Sequence, residues 1–196
     1  MSSDWSSDVC SSDLADLSAL SSLTNLRWLS LSHNRISDLS SLSGLTHLGT
    51  LDFSANQISE LSGLSGMTQL EWLDLHSNQV GDLSSLSGLS NLVFLDLDYN
   101  HSISDVAPLA SLTNLETLRL QLTQVSSVGP LTGLPNLHEL GLRHDPLDRH
   151  AYCHDFQAIL LTAPACSIYY SPNANPPGSI SATDGTYEEK VAVTWN

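Results

Sequence analysis

The sequence predicts an α/β solenoid: coils carrying a parallel β-sheet on one side and 3₁₀ or turn returns on the other, closed by a C-terminal helical cap. Three observations carry this. The pattern Leu-x-x-Leu-x-Leu-x-x-Asn-x-Ile, opening at Leu26, returns after 22 residues at Leu48, and again at Leu70, Leu92, Leu115 and Leu137. Such a fixed period marks stacked structural units. Within each copy the leucines first alternate and then recur every third residue. After residue 148 they switch to helical spacing.

The strand comes first in each copy. Leu29-Ser30-Leu31 alternates apolar with polar residues, the period of a strand. Leu29 and Leu31 are expected to point inward, and Trp28, Ser30 and Ser32 outward. A tight turn follows at Asn34, whose amide can satisfy backbone groups that the turn leaves unpaired. Asn56, Asn78 and Asn100 repeat it, so an asparagine ladder is expected. Leu39, Leu42, Leu45 and Leu48 then match the three-residue period of a 3₁₀ path. No coil can bury its leucines alone, so neighbours must stack. Thr123 and Asp145 replace the asparagine in later copies, and His101-Ser102 adds a residue where a bulge is expected.

These copies resemble the leucine-rich repeat family, in the 22-residue form of internalins and their relatives. The resemblance implies a right-handed coil with its sheet on the concave face. It divides the chain into a half repeat at 15–25 and repeats filling the rest of 15–147. Residues 1–14 depart from the pattern. Positions 4–14, DWSSDVCSSDL, resemble the conceptual translation of a short-read sequencing adapter; the alternative is a natural Ser/Asp-rich N-terminus. On the first reading, Cys10 leaves the cysteine count and Met1 marks no true start. The first full coil then lacks an N-terminal cap, which repeat arrays need. The 196-residue chain alone is expected to bind an apolar-surface dye and to associate, whereas the full-length protein is expected to be monomeric. A monodisperse, dye-negative chain would contradict this.

At 148–170, Tyr152, Phe156, Ile159 and Leu160 share one face of an α-helix, with Asp148 as N-cap and Pro164 as its stop. CSIYYSPN then reads as a short strand and an exit. Cys153 and Cys166 either bridge in an oxidising compartment or pack as buried thiols. His144, Asp145, Asp148, His150, Cys153, His154 and Asp155 are metal-capable, but the Glu of an HExxH motif is absent. They read as the solvated outer face of the helix, with no metal. Residues 171–178, SPNANPPG, form a linker. Residues 179–196 resemble the first two strands of a fibronectin type III-like domain, expected to continue past Asn196.

The net charge of −15, with Lys190 the single lysine, argues against nucleic acid and anionic membranes. No apolar run approaches the roughly 20 residues of a membrane span. The serines sit at periodic return positions rather than beside a base, and no phosphate loop or nucleophile elbow is present. No enzyme activity and no cofactor are therefore expected. The resemblance implies a protein- or glycan-binding module of a bacterial secreted or cell-surface protein. The alternatives are an intracellular scaffold or regulator, and the targeting module of a larger enzyme.

In a stacked sheet, equivalent outward positions form columns. One column reads Trp28, Thr50, Trp72, Phe94, Thr117, Glu139. The next reads Ser30, Asp52, Asp74, Asp96, Arg119, Gly141, and the third includes His76 and Asp98. Exposed aromatics beside charges are typical interface anchors. Trp72, Phe94, Asp74, Asp96 and Asp98 are the expected ligand contacts, with Trp28 and His76 at the margin.

Overall fold

The structure is a computed structural model that describes residues 13–148 and 150–170. Each repeat forms one coil, and the strands are β1 Trp28–Ser30, β2 Thr50–Asp52, β3 Trp72–Asp74, β4 Phe94–Asp96, β5 Thr117–Arg119 and β6 Glu139–Leu142. Each pairs in parallel with the next, in register, so Leu29 lies beside Leu51 and Leu51 beside Leu73. The inward leucines Leu51, Leu73, Leu95, Leu118 and Leu140 lose all contact with water. Leu29 and Leu31, on the first coil, stay only partly buried, and Leu23 is exposed.

The returns are 3₁₀ turns, among them Ser18–Leu20, Ser40–Leu42, Ser62–Leu64 and Ser84–Leu86. An aspartate two residues before the turn caps most of them. Asp16, Asp38, Asp82 and Asp105 each accept the backbone N–H of the second residue on, at 2.8 Å. These bonds hold the carboxyls of Asp16, Asp38 and Asp82 below the ordinary carboxylate range.

Between strand and return the chain must reverse sharply. The residue before the ladder position takes a positive φ in each coil: His33, Ala55, Ser77, Tyr99, Leu122 and His144, at 54–65°. None is glycine, so each site carries a steric cost. The side chain that follows compensates for it. Asn78 Oδ1 accepts the Ile58 N–H of the preceding coil at 2.9 Å. Its amide nitrogen donates to Phe53 O at 2.9 Å and Leu75 O at 3.0 Å. Asn56 and Asn100 repeat these bonds one coil either side. Asn34 accepts the Leu14 N–H at 3.1 Å, so Leu14 stands where Ile36 stands one coil later.

The extra residue in the fourth repeat closes a local turn, with the Ile103 N–H donating to Asn100 O at 3.1 Å. That amide therefore needs no side chain from the next coil, and there Thr123 replaces asparagine. Thr123 instead donates its N–H and hydroxyl to Asp145 Oδ1, at 2.7 and 2.9 Å.

The cap departs from the sequence expectation in three ways. Ala151–Asp155 is wound as a π-helix, and only α1, Phe156–Thr162, is α-helical. The wide turn turns Asp155 inward, where it is buried and accepts the Val128 N–H at 3.2 Å. Asp155 and the equally buried Asp145 thus do not belong to a solvated outer face. Asp148 does accept the Ala151 N–H, at 2.8 Å, as an N-cap would. The expected short strand forms as β7, Ser167–Tyr170, but it also extends the repeat sheet, in parallel with β6. It covers an edge that would otherwise expose unpaired backbone groups, and Ile168 continues the inward leucine column beside Leu140. The linker and fibronectin-like segment lie outside the described residues, as does most of the adapter-like one.

Candidate functional site on the concave sheet

The strand register sets Trp72 and Phe94 side by side. Their ring centroids lie 4.9 Å apart with planes 8° from parallel. That distance equals the strand spacing of about 4.8 Å, so the rings stand on edge with their faces along the sheet. The Arg119 guanidinium covers Phe94 from the β5 side, 5.5 Å from its centroid. Trp28 is 52% exposed and is not brought to this pair, because Thr50 lies between.

The aspartates differ from the sequence expectation. Asp74 and Asp96 each accept the N–H two residues on, from His76 and Asp98, both at 2.9 Å. They first close the end of their own strand. Asp96 is 6% exposed and Asp98 8%, so these two are not the solvent-facing contacts that strand alternation predicts. Asp98 instead accepts the Gln121 backbone N–H at 2.7 Å and its side-chain amide at 2.9 Å. Arg119 lies 3.5 Å from Asp96 and 3.1 Å from Glu139, and so ends the acidic column. Asp74 remains half-buried, and its carboxyl lies above the ordinary range, raised first by burial and then by Asp96 and Asp52.

His76 packs edge-on against Tyr99, with centroids 5.2 Å apart, and Tyr99 against His101 at 6.4 Å. Sequence reasoning missed Tyr99, because strand alternation does not extend to the positive-φ position it occupies. It also missed a shallow depression of about 190 Å³ lined by Arg119, Gln121, Glu139, Gly141, Arg143 and Tyr169. Its signal was Gly141, where earlier copies carry Ser, Asp or Arg.

In the cap, Cys153 and Cys166 are free thiols. Burial pushes the Cys166 thiol up to about 12. Asp155 Oδ1 lies 3.0 Å from His150 Nδ1. Among the described residues, no three His, Cys, Asp or Glu side chains come together as a metal site.

Burial, then Asp96, raises the Asp98 carboxyl to about 7. Burial raises Asp145 to about 6, and its Oδ2 is buried with no hydrogen-bond partner among the described residues. Both values lie above those of an unfolded chain. Their stabilisation is therefore complete below about pH 4 and is lost as the pH rises through 6 to 7. The unfolding free energy from urea titrations at pH 5 and 7.5 is expected to fall with rising pH, with each carboxyl contributing at most about 1.4 kcal/mol per unit. Asp98→Asn should flatten that slope; an unchanged slope would contradict the assignment.

Residues 24–66 and 68–111 match the family model described as Leucine Rich repeats (2 copies). The chain is similar to internalin C2 of Listeria monocytogenes, at 32% identity and a TM-score of 0.75, over 81% of this chain and 67% of that one. It is similar to a second internalin of that bacterium at 30% identity and a TM-score of 0.73, over 81% of this chain. It spans only 44% of that second structure. A leucine-rich repeat protein of Leptospira interrogans shares the fold, at 23% identity and a TM-score of 0.56, over 76% of this chain and 44% of that one. No curated protein matches it. No helix among the described residues is long and apolar enough to cross a membrane.

Proposed function

The chain belongs to the leucine-rich repeat family, and on that premise we propose that it is a binding module for a protein or glycan, with the ligand on the concave sheet. One observation carries this reading: Trp72 and Phe94 stack on each other in view of solvent, on strands whose inward leucines already fill the core. Both rings are only partly buried and lie outside the leucine core, and aromatics so placed are the side chains that dominate interfaces. Trp72, Phe94 and Asp74 make the central contacts, bordered by Trp28 and His76. Asp96 and Asp98 act from below, by fixing strand ends and setting a negative field. The module is non-catalytic and belongs to a bacterial secreted or cell-surface protein. The likeness to the two Listeria internalins supports that setting. We divide the protein into repeats at 15–147, a cap at 148–170, a linker at 171–178 and a second, fibronectin-like domain from 179.

The experiment uses the natural protein and its partner. Trp72→Ala combined with Phe94→Ala is expected to weaken binding at least tenfold, since each anchor is worth about 2 kcal/mol, while shifting Tm by only a few degrees. Unchanged affinity, with loss instead on replacing serines of the 3₁₀ returns, would place the ligand on the convex side.

A further inference from the structure

Arg119, Phe94 and Trp72 form one stack across β5, β4 and β3. Arg119 lies over Phe94 and also reaches an Asp96 carboxylate oxygen at 3.5 Å. The opposite face of Phe94 meets Trp72. The far face of Trp72 looks toward β2, where its column neighbour is only Thr50. Trp28 stands beyond Thr50, two strands from Trp72, or about 10 Å by ordinary strand spacing. One end of the stack is thus closed by the chain's own guanidinium, and the other is open.

The open end repeats the chemistry of the closed one. At the closed end an aromatic ring and a carboxylate two residues on, Phe94 and Asp96, share a strand and hold an arginine between them. At the open end Trp72 and Asp74 stand at the equivalent positions of the neighbouring strand. Asp74 gives one oxygen to the His76 N–H, and no described residue bonds the other. Its carboxyl is half-buried and repelled by Asp52 and Asp96. A cation there would relieve both effects, and the net charge of −15 favours a basic partner at long range.

On the reading that the concave face binds a protein, we infer that the gap over Thr50, between Trp28 and Trp72, receives an arginine side chain of that partner. The guanidinium stacks on Trp72 and donates to Asp74. Arginine fits better than lysine, because its plane stacks on an aromatic face while its N–H groups still reach a carboxylate. Stacking contact takes about 4 Å of the gap. The remaining 6 Å or so to Trp28 accommodates the arginine methylenes, which cover apolar surface readily. A sugar or a neutral ring would leave Asp74 uncompensated.

The test uses the 196-residue chain and three acetylated, amidated tripeptides: Gly-Arg-Gly, Gly-Lys-Gly and Gly-citrulline-Gly. Binding is read from the indole N–H signal of Trp72 by NMR, assigned with Trp72→Phe. The arginine peptide is expected to shift that signal saturably and to move Trp28 less. The citrulline peptide, equal in shape but neutral, should bind at least tenfold more weakly, and the lysine peptide should lie between. Asp74→Asn, which can still accept the His76 N–H, should weaken the arginine peptide at least fivefold. Equal binding of arginine and citrulline, no effect of Asp74→Asn, or no shift at Trp72 would each overturn the arginine subsite. None of these results touches the concave-face reading. That reading falls if the partner's affinity survives the loss of Trp72 and Phe94.

Discussion

Replacing Asn78 with alanine is expected to lower the stability of the chain by about 3 kcal/mol, from one buried N–H left unpaired at about 1–3 kcal/mol and two carbonyls that each lose one of two bonds. The amide bonds the Ile58 N–H of one coil and the Phe53 and Leu75 carbonyls of two. Alanine leaves the Ile58 N–H unpaired where water does not reach, since Asn78 is itself buried, while the Phe53 and Leu75 carbonyls each keep one amide bond, from Asn56 and Asn100. It also leaves Ser77 at its positive φ without the bonds that offset the strain. Aspartate should be no better, because its second oxygen would face the Phe53 and Leu75 carbonyls that the amide nitrogen now serves. Urea unfolding measures the loss, and hydrogen exchange at the Ile58 amide locates it. A change below 1 kcal/mol would mean that the ladder is ornamental to the fold.

Gly63→Ala is expected to destabilise by about 3 kcal/mol, at the upper end for overpacking. The new methyl would overlap the Leu39 carbonyl, lying 2.6 Å from its carbon and 3.0 Å from Leu39 Cβ. Both obstacles belong to the backbone or its first side-chain atom, so neither can swing aside. The position does not require glycine by period, since Ser41 and Ser85 occupy it in the flanking repeats. The close approach belongs to this one pair of coils, and Ser41→Gly should change stability by well under 1 kcal/mol, the ordinary cost of added chain entropy. Equal effects of the two substitutions on thermal unfolding would contradict that assignment.

The coils were legible because each repeat must bury its own leucines on its neighbours, and burial imposes a period that no other pressure erases. The same logic placed Trp72 beside Phe94, since in-register stacking turns a 22-residue separation into adjacency. Alternation failed at Asp98 because β4 ends at Asp96, and beyond it the chain curls toward the Gln121 amides. Tyr99 was hidden for a related reason. Its backbone position holds five different residue types over six coils and never glycine, so nothing in the sequence marks a left-handed turn. The π-wound turn at Ala151–Asp155 could not be read from spacing, which an α-helix explains equally well until Asp155 is seen to cap Val128. Strand β7 lacks the repeat motif. What recruits it is the free edge of β6, a property of the folded sheet.

The most direct test of the concave-face account is photo-cross-linking of the natural protein to its partner. A benzophenone amino acid replaces Thr50, between Trp28 and Trp72, in one variant, and Ser87, on a 3₁₀ return, in another. The account predicts a partner adduct from position 50 and none from position 87. An adduct from position 87 alone would contradict it.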